Sequence, residues 1–359
     1  MPLGVLDPRD DREEVRAWLA LQSVLHLDPV SATELLQHSP DPVAALHARG
    51  EARALREQSL EARCDTLAKL GASVLPFPAP GYPERLRVLS DAPPVLLVLG
   101  SPEALLGRAV AIVGARAPTV YGLRVARDLA AALARAGVVV VSGLARGIDA
   151  AAHQAALDVG GLTVAFSACG PDRTYPAEHA WLADQISRSG AVVTEMPLET
   201  PPLAHYFPLR NRLIAALGEV VVVVEGRLRS GSLVTARRAI DQGRDVMAVP
   251  GPIGAPTSEG PNSLLRDGAA PVTRIADVFE MLDLPLPAAA PDARAKHEAA
   301  SPLATRVLAI LRREPCTRDA LRLRVDVPAG RLALALTELE LAGRIATDRD
   351  GCLRVLGGA

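Results

Sequence analysis

The chain has 359 residues, enough for two or three domains, and 49% hydrophobic against 22% charged residues gives it the means to bury a sizeable core. Its formal net charge of −2 excludes nucleic-acid binding by bulk charge, so any such surface is a local patch; nearly all the positive charge is Arg, the only lysines being Lys69 and Lys296. The start is charged, no apolar run approaches the length of about 18 residues that a span needs, and Cys64, Cys169, Cys316 and Cys352 form no CxxC pair or metal cluster, which points to a cytoplasmic protein with free thiols and no membrane contact.

The first 70 residues read as helices. Apolar residues recur at helical spacing over 15–25 and 32–37, Asp28-Pro29 punctuates the gap, and 44–69 is one long Ala/Leu/Glu/Arg pattern. This segment is acidic, with 8 Lys+Arg against 12 Asp+Glu, which argues against a helix-hairpin-helix DNA contact. From Gly71 a Pro-rich loop leads to an apolar run at 95–99. Short β-branched strands are then predicted at 109–113, 138–142, 162–166, 191–194, 220–225 and 245–249. Helical patterns lie between them at 119–135, 149–157, 178–188, 210–217 and 233–242. The alternation implies a doubly wound, mostly parallel α/β sheet. An Ala/Pro-rich stretch at 285–302 reads as a linker. Beyond it, three short helical patterns and a polar hairpin at 344–355 have the outline of a winged helix.

Parallel sheets place ligand sites at the carboxyl ends of their strands, and here those ends are rich in Gly, Ser and Arg. The first of the alternating strands ends in Gly114-Ala115-Arg116. The second ends in Ser142-Gly143-Leu144-Ala145-Arg146-Gly147-Ile148-Asp149, whose glycines let backbone amides face an anion. The fifth is followed by Ser230-Gly231-Ser232-Leu233-Val234-Thr235, a further phosphate nest. The stretch 205–245 holds seven Arg against four acids. Within it, Phe207-Pro208-Leu209-Arg210-Asn211-Arg212 opens a helix. Residues two apart on a helix diverge by roughly 200°, so Arg210 and Arg212 share a ligand only if Arg210 lies in the turn before it.

The missing fingerprints narrow the chemistry. There is no GxGxxG after the first strand, no GxxxxGK[ST] and no HExxH, which removes the usual dinucleotide, P-loop and zinc-hydrolase readings. Asp149 with His153 reads as a helix cap with a local pair rather than an acid/base couple. Glu195 and Glu225 read as structural carboxylates. Two other readings compete. One is a nucleotide phosphoribohydrolase, but Pro250-Gly251 leads into Pro252-Ile253-Gly254 without the PGGxGTxxE segment of such enzymes. The other is a duplex-binding regulator acting through the tail.

Taken in order, Gly114-Ala115-Arg116, the 142–149 loop, Tyr175-Pro176, the 207–212 segment, the 230–236 segment and Val249-Pro250-Gly251 resemble the DNA-processing protein A (DprA, also called Smf) family over about residues 80–270. The resemblance implies an N-terminal sterile-alpha-motif-like helical domain at 1–70, an extended Rossmann-like DNA-binding domain at 71–283, a linker at 284–300 and a winged helix at 301–359. It implies a cytoplasmic protein of natural transformation and recombination that binds and protects single-stranded DNA. It further implies loading of the RecA recombinase onto that DNA, a homodimer through the Rossmann domain, no cofactor and no catalysis. The tail would touch duplex DNA or protein. By motif, Arg116, Ser142, Gly143, Arg210, Arg212, Ser230 and Gly231 would line the DNA pocket. Gly114, Arg146, Gly147, Phe207, Asn211, Ser232 and Thr235 would complete it. Tyr175 matches an aromatic position that meets a base. Around it Pro171-Asp172-Arg173-Thr174 departs from the basic pattern of many relatives, and Arg173 is assigned the basic contact there.

Overall fold

The structure is a computed structural model that describes residues 4–26, 28–286, 302–325, 327–341, 344–348 and 351–355. Contacts divide the chain into two units, Met1–Pro287 and Ala288–Ala359.

The first unit opens with helices α1 (Arg12–Leu25), α2 (Pro29–His38), α3 (Pro42–Ala48) and α4 (Ser59–Leu70). Asp28 and Asp41 cap α2 and α3, each followed by a proline at the first helical position, where a missing N–H costs nothing. The single long helix expected over 44–69 is broken. Gly50 adopts φ 71°, which ends α3, and a 3-10 turn at Ala52–Arg56 leads into α4. Strands β1 (Ala72–Pro76) and β2 (Val95–Gly100) follow, with the short helix α5 (Glu84–Arg87) between them. β1 lies where the sequence suggested only loop. It lies at the edge of the sheet and ends in Pro76; it pairs along its length with β2, and a single bridge from Leu6 meets its other side at Val74.

The alternating region runs β3 (Ala109–Val113), α6 (Val120–Arg135), β4 (Val139–Ser142), α7 (Ile148–Asp158), β5 (Thr163–Phe166), α8 (Ala180–Ser189), β6 (Ala191–Thr194), α9 (Tyr206–Leu217), β7 (Val220–Val223), α10 (Gly231–Asp241) and β8 (Asp245–Ala248). Helix α11 (Glu259–Arg266), the short strand β9 (Ala270–Pro271) and helix α12 (Ile275–Met281) close the unit. The sheet order is β1-β2-β6-β5-β4-β3-β7-β8-β9, parallel from β6 to β9 with β1 and β2 antiparallel at one edge.

Side chains alternate across this sheet. Ala111 and Val113 face one core with α9, α10 and the N-terminal helices, whereas Val110 and Ile112 face the other with α6, α7 and α12. The first 70 residues therefore share a core with the sheet, through Trp18, Leu21 and Leu25. They are fastened further by the Leu6–Val74 bridge and by Gln22 Nε2 donating to Glu195 O at 3.0 Å.

The second unit packs helices Pro302–Arg313, Arg318–Val325 and Ala329–Leu341 against a small sheet of Cys316–Thr317, Cys352–Val355 and Ile345–Thr347. Its core holds Val307, Leu311, Leu321, Leu336 and Leu353. This is a winged helix. The linker expected at 284–300 lies mostly outside the described residues. Among them, no helix is long and apolar enough to cross a membrane.

The expected Asp149–His153 pair does not form. His153 lies under the sheet with Nδ1 2.7 Å from Thr163 Oγ1, and Thr163 spends its own proton on Val140 O at 2.7 Å. Nδ1 must therefore donate, which leaves Nε2 a buried lone pair with no partner among the described residues. Burial, then the nearby Arg210 and His179, push the imidazole down from 6.5 to about 3. Between those values the unfolded chain takes up a proton that the folded chain refuses. Stability should fall as pH drops through this window, by up to about 1.4 kcal/mol per pH unit, and level off below it. Urea midpoints between pH 7 and pH 5 test this. His153→Leu should remove that part of the slope, and an unchanged slope would refute the buried neutral imidazole.

Candidate functional site

Strands β3 to β6 run toward one edge of the sheet and β7 to β9 toward the other, so the chain reverses direction between β3 and β7. Loops leaving those two strands diverge and open a crevice at their carboxyl ends. A cleft of about 530 Å³ occupies it. Gly114, Ala115 and Arg116 form one wall, Asn211 and Ser230 to Ser232 another, and Tyr175 and Phe207 stand at its side.

Arg210 forms the floor. It is 4% exposed, and its Nη1 donates to Gly143 O at 2.7 Å and to Phe166 O. Glycine at 143 is required for this. A Cβ there would sit 2.8 Å from Arg210 Nη2 and 2.9 Å from Asp149 Oδ2. Asp149 accepts from the amides of Gly143 at 3.1 Å and Ala145 at 3.4 Å, which curls the loop after β4 around its carboxylate. Burial lowers the Arg210 pKa to about 10, with Asp149 opposing and Arg116 adding to the shift. Arg210 therefore stays charged at neutral pH. Burial likewise pushes Asp149 up, against the pull of Arg210 and the two amides.

Arg116 is exposed and has no carboxylate partner among the described residues. Its guanidinium lies 5.5 Å from the centre of the Phe207 ring, and that of Arg210 lies 5.9 Å from it. Tyr175 meets the same ring edge-on at 5.4 Å while remaining 40% exposed. One aromatic ring thus borders two cations.

Opposite, α10 begins at the cleft. Ser230 precedes it without a side-chain cap, its Oγ spent on Ser232 Oγ at 2.7 Å. The amides of Gly231 and Ser232 have no backbone acceptor among the described residues and stand at the positive end of an 11-residue helix. A Cβ at Gly231 would meet only Asn211 Nδ2, at 4.0 Å, so packing does not demand the glycine. Thr235 lines the same wall, its hydroxyl on Gly231 O at 3.2 Å.

The structure separates several residues that the sequence grouped. Arg210 and Arg212 both lie inside α9, and the helical turn sends them apart. Arg212, 2% exposed, bonds Glu195 through both terminal nitrogens at 3.1 and 2.6 Å and Asp91 at 2.9 Å, away from the cleft. Ser142 is also withdrawn. Its Oγ is bound to Ile112 O at 2.6 Å, so it ties β4 to β3 instead of lining the cleft. Gly147, at φ 78°, shapes the wall from behind, where a Cβ would meet Ala115 O at 2.3 Å. Arg146 is exposed and paired with Glu178 at 2.8 Å. Arg173 pairs with Asp172 at 3.3 Å and lines a separate cavity of about 230 Å³. Glu225 accepts from the Thr119 amide at 2.8 Å and hydroxyl at 2.6 Å, where it fixes the start of α6. Sequence reasoning missed Asp149 as the organiser of its loop, although the Gly143–Asp149 spacing carries that signal. It also missed Pro202 and Ala204, which reach the cleft only because the loop after β6 folds over it.

The family model for DNA recombination-mediator protein A matches residues 73–283. The chain belongs to the DprA/Smf family. A second model, the DprA winged helix domain, matches residues 287–351. Protein Smf of Escherichia coli K12 is 40% identical over 358 residues, 96% of this chain and 92% of that protein. DNA processing protein DprA of Streptococcus pneumoniae is 42% identical over 198 residues, 55% of this chain and 70% of its own. The X-ray structure of the Streptococcus pneumoniae DprA superposes with a TM-score of 0.63 at 31% identity, covering 77% of this chain and 98% of that one. A structure of DNA processing protein A from Helicobacter pylori, concerned with its single-stranded DNA binding mode, gives 0.53 at 32% identity over 56% of this chain and 92% of that one. The DprA/Smf chain described here is thus a DNA-processing protein, built as the sequence implied from a mostly parallel α/β sheet with a winged helix after it.

Proposed function

We propose that this chain binds single-stranded DNA in the cleft between β3 and β7, as a binder and not a catalyst. One juxtaposition carries the reading. An unpaired Arg116, the buried charge of Arg210 and the open amides of Gly231 and Ser232 surround one space, with Tyr175 and Phe207 beside it. Guanidinium forks and amides hold phosphates without reading sequence, and aromatic rings stack any base. The single-stranded DNA binding mode of the Helicobacter pylori relative supports the same ligand. The strand-end carboxylates favour binding over chemistry, because Glu195 and Glu225 are held by Arg212 and Thr119. Gly114, Asn211, Ser230, Ser232 and Thr235 complete the proposed surface, whereas Arg146 and Arg173 would act only from its margin. We further propose that two copies pair through the sheet-containing unit and that the bound strand is passed to RecA.

The test is Arg116→Ala, assayed by fluorescence anisotropy on oligo-dT. Affinity should fall about tenfold, and the slope of log affinity against log salt should shrink by about 0.7, the loss of one phosphate contact on a single strand. The melting temperature should move little, because the side chain is exposed, has no carboxylate partner among the described residues and touches only the edge of the cleft through the Phe207 ring. Unchanged affinity and slope would sink the assignment. RecA transfer is tested separately, by whether the protein shortens the lag of RecA assembly on single-stranded DNA; an unchanged lag would remove that part alone.

A further inference from the structure

The two sides of the cleft differ in charge. Toward β5 and β6, Arg146 and Arg173 are neutralised by Glu178 and Asp172, and Glu199 lies exposed nearby. Toward β7 and β8, Arg227 and Arg229 are exposed and have no carboxylate partner among the described residues, and the exposed acid nearby is Glu259, at the start of α11. They flank Leu228 in a turn closed by the Ser230 amide on Arg227 O at 3.0 Å.

That turn belongs to a continuous rim. Gly226 donates to Thr257 O at 2.6 Å and accepts from the Gly260 amide at 2.8 Å, which joins it to the loop after β8. Tyr121, at the start of α6, donates to Pro250 O at 3.3 Å on the same loop. The rim is apolar as well as basic. Val120 is 85%, Leu228 49% and Tyr121 40% exposed, and Ile253 is wholly exposed. Among the described residues of the first unit nothing covers the exposed parts of these side chains, and a tyrosine ring and apolar side chains interleaved with arginines that have no carboxylate partner there make a surface on which bases can stack and pack while a backbone is tracked.

Resting on the cleft as the DNA site, we infer that the strand leaves it across β7 and β8, with phosphates on Arg227 and Arg229 and bases against Tyr121, Leu228 and Ile253. The opposite exit would carry phosphates past Asp172, Glu178 and Glu199.

The full-length protein is titrated with oligo-dT of about 5 nucleotides, which fills the cleft, and about 20 nucleotides, which also reaches the rim. Arg227→Ala with Arg229→Ala should lower the salt slope on the long strand by about 1.4, two contacts at about 0.7 each, and leave the short strand unchanged. Tyr121→Ala with Ile253→Ser should lose about tenfold on the long strand only. Tyr121→Phe, which keeps the ring and drops the bond to Pro250, should bind the long strand like wild type. A Tyr121→Phe loss as large as that of the double variant would assign the effect to loop anchoring and overturn the inference. So would equal losses on both lengths, or no loss on either. Variants that keep both affinities but no longer self-associate would make the rim a protein interface, also overturning it. If wild type fails to bind the short strand, the cleft reading itself has failed.

Discussion

Glu195→Ala is expected to destabilise the protein by about 3–5 kcal/mol, because it leaves the Arg212 guanidinium buried with Asp91 as its single remaining carboxylate. The pair is bidentate, at 3.1 and 2.6 Å, and Glu195 is 4% exposed, so its loss leaves a buried guanidinium short of a charge-assisted partner. Removing both charges is a different experiment. Arg212→Met with Glu195→Leu deletes two desolvated ions together and should lie far closer to wild type than either single change. Urea denaturation of the three variants checks the cycle. Single-stranded DNA affinity, measured at equal folded fraction, should not change, because Arg212 points away from the cleft. A Glu195→Ala cost below about 1 kcal/mol, or a selective loss of DNA affinity, would return Arg212 to the binding surface.

Arg210→Ala should have the largest effect on binding, a loss of about a hundredfold or more. Two causes combine. The cation at the cleft floor disappears, and the carbonyls of Gly143 and Phe166 lose their shared donor, so the loop after β4 relaxes. Arg210→Lys keeps the charge without the planar fork and should recover only part of the affinity. Gly143→Ala should act in the same direction from the other partner, because its new Cβ would stand 2.9 Å from Arg210 Cζ. Anisotropy titrations of the three proteins, beside Arg116→Ala, rank the effects. If Arg116→Ala costs more than Arg210→Ala, the floor is structural and the phosphate contact belongs to the exposed arginine.

The alternating strands were legible because most are short β-branched runs buried on both faces, a pattern that owes little to context. Val139–Ser142 and Val220–Val223 fall within their expected ranges for this reason. The short edge strand β1 was not legible, since its order comes from a partner about 20 residues away in the chain. The break at Gly50 was hidden by the helix formers on both sides. α11 was hidden because it begins at Glu259-Gly260-Pro261, residues that locally read as a turn.

Cleft residues divide in the same way. Gly114, Arg116, Ser230 and Gly231 could be placed from sequence, because strand-end glycines and hydroxyls before a helix make an anion nest by local geometry alone. The fate of Arg210, Arg212 and Ser142 could not. All three lie in motifs that resemble a phosphate site, and a motif fixes residue type and spacing but not the direction of a side chain. Direction was decided by partners distant in sequence: Phe166 O and Gly143 O for Arg210, Glu195 and Asp91 for Arg212, and Ile112 O for Ser142. By itself the sequence determined the sheet, the strand ends that border the cleft and the family. Only the tertiary structure decided which arginine lines the cleft and which one holds the core, because a buried guanidinium goes wherever the chain supplies carboxylates and carbonyls to satisfy it.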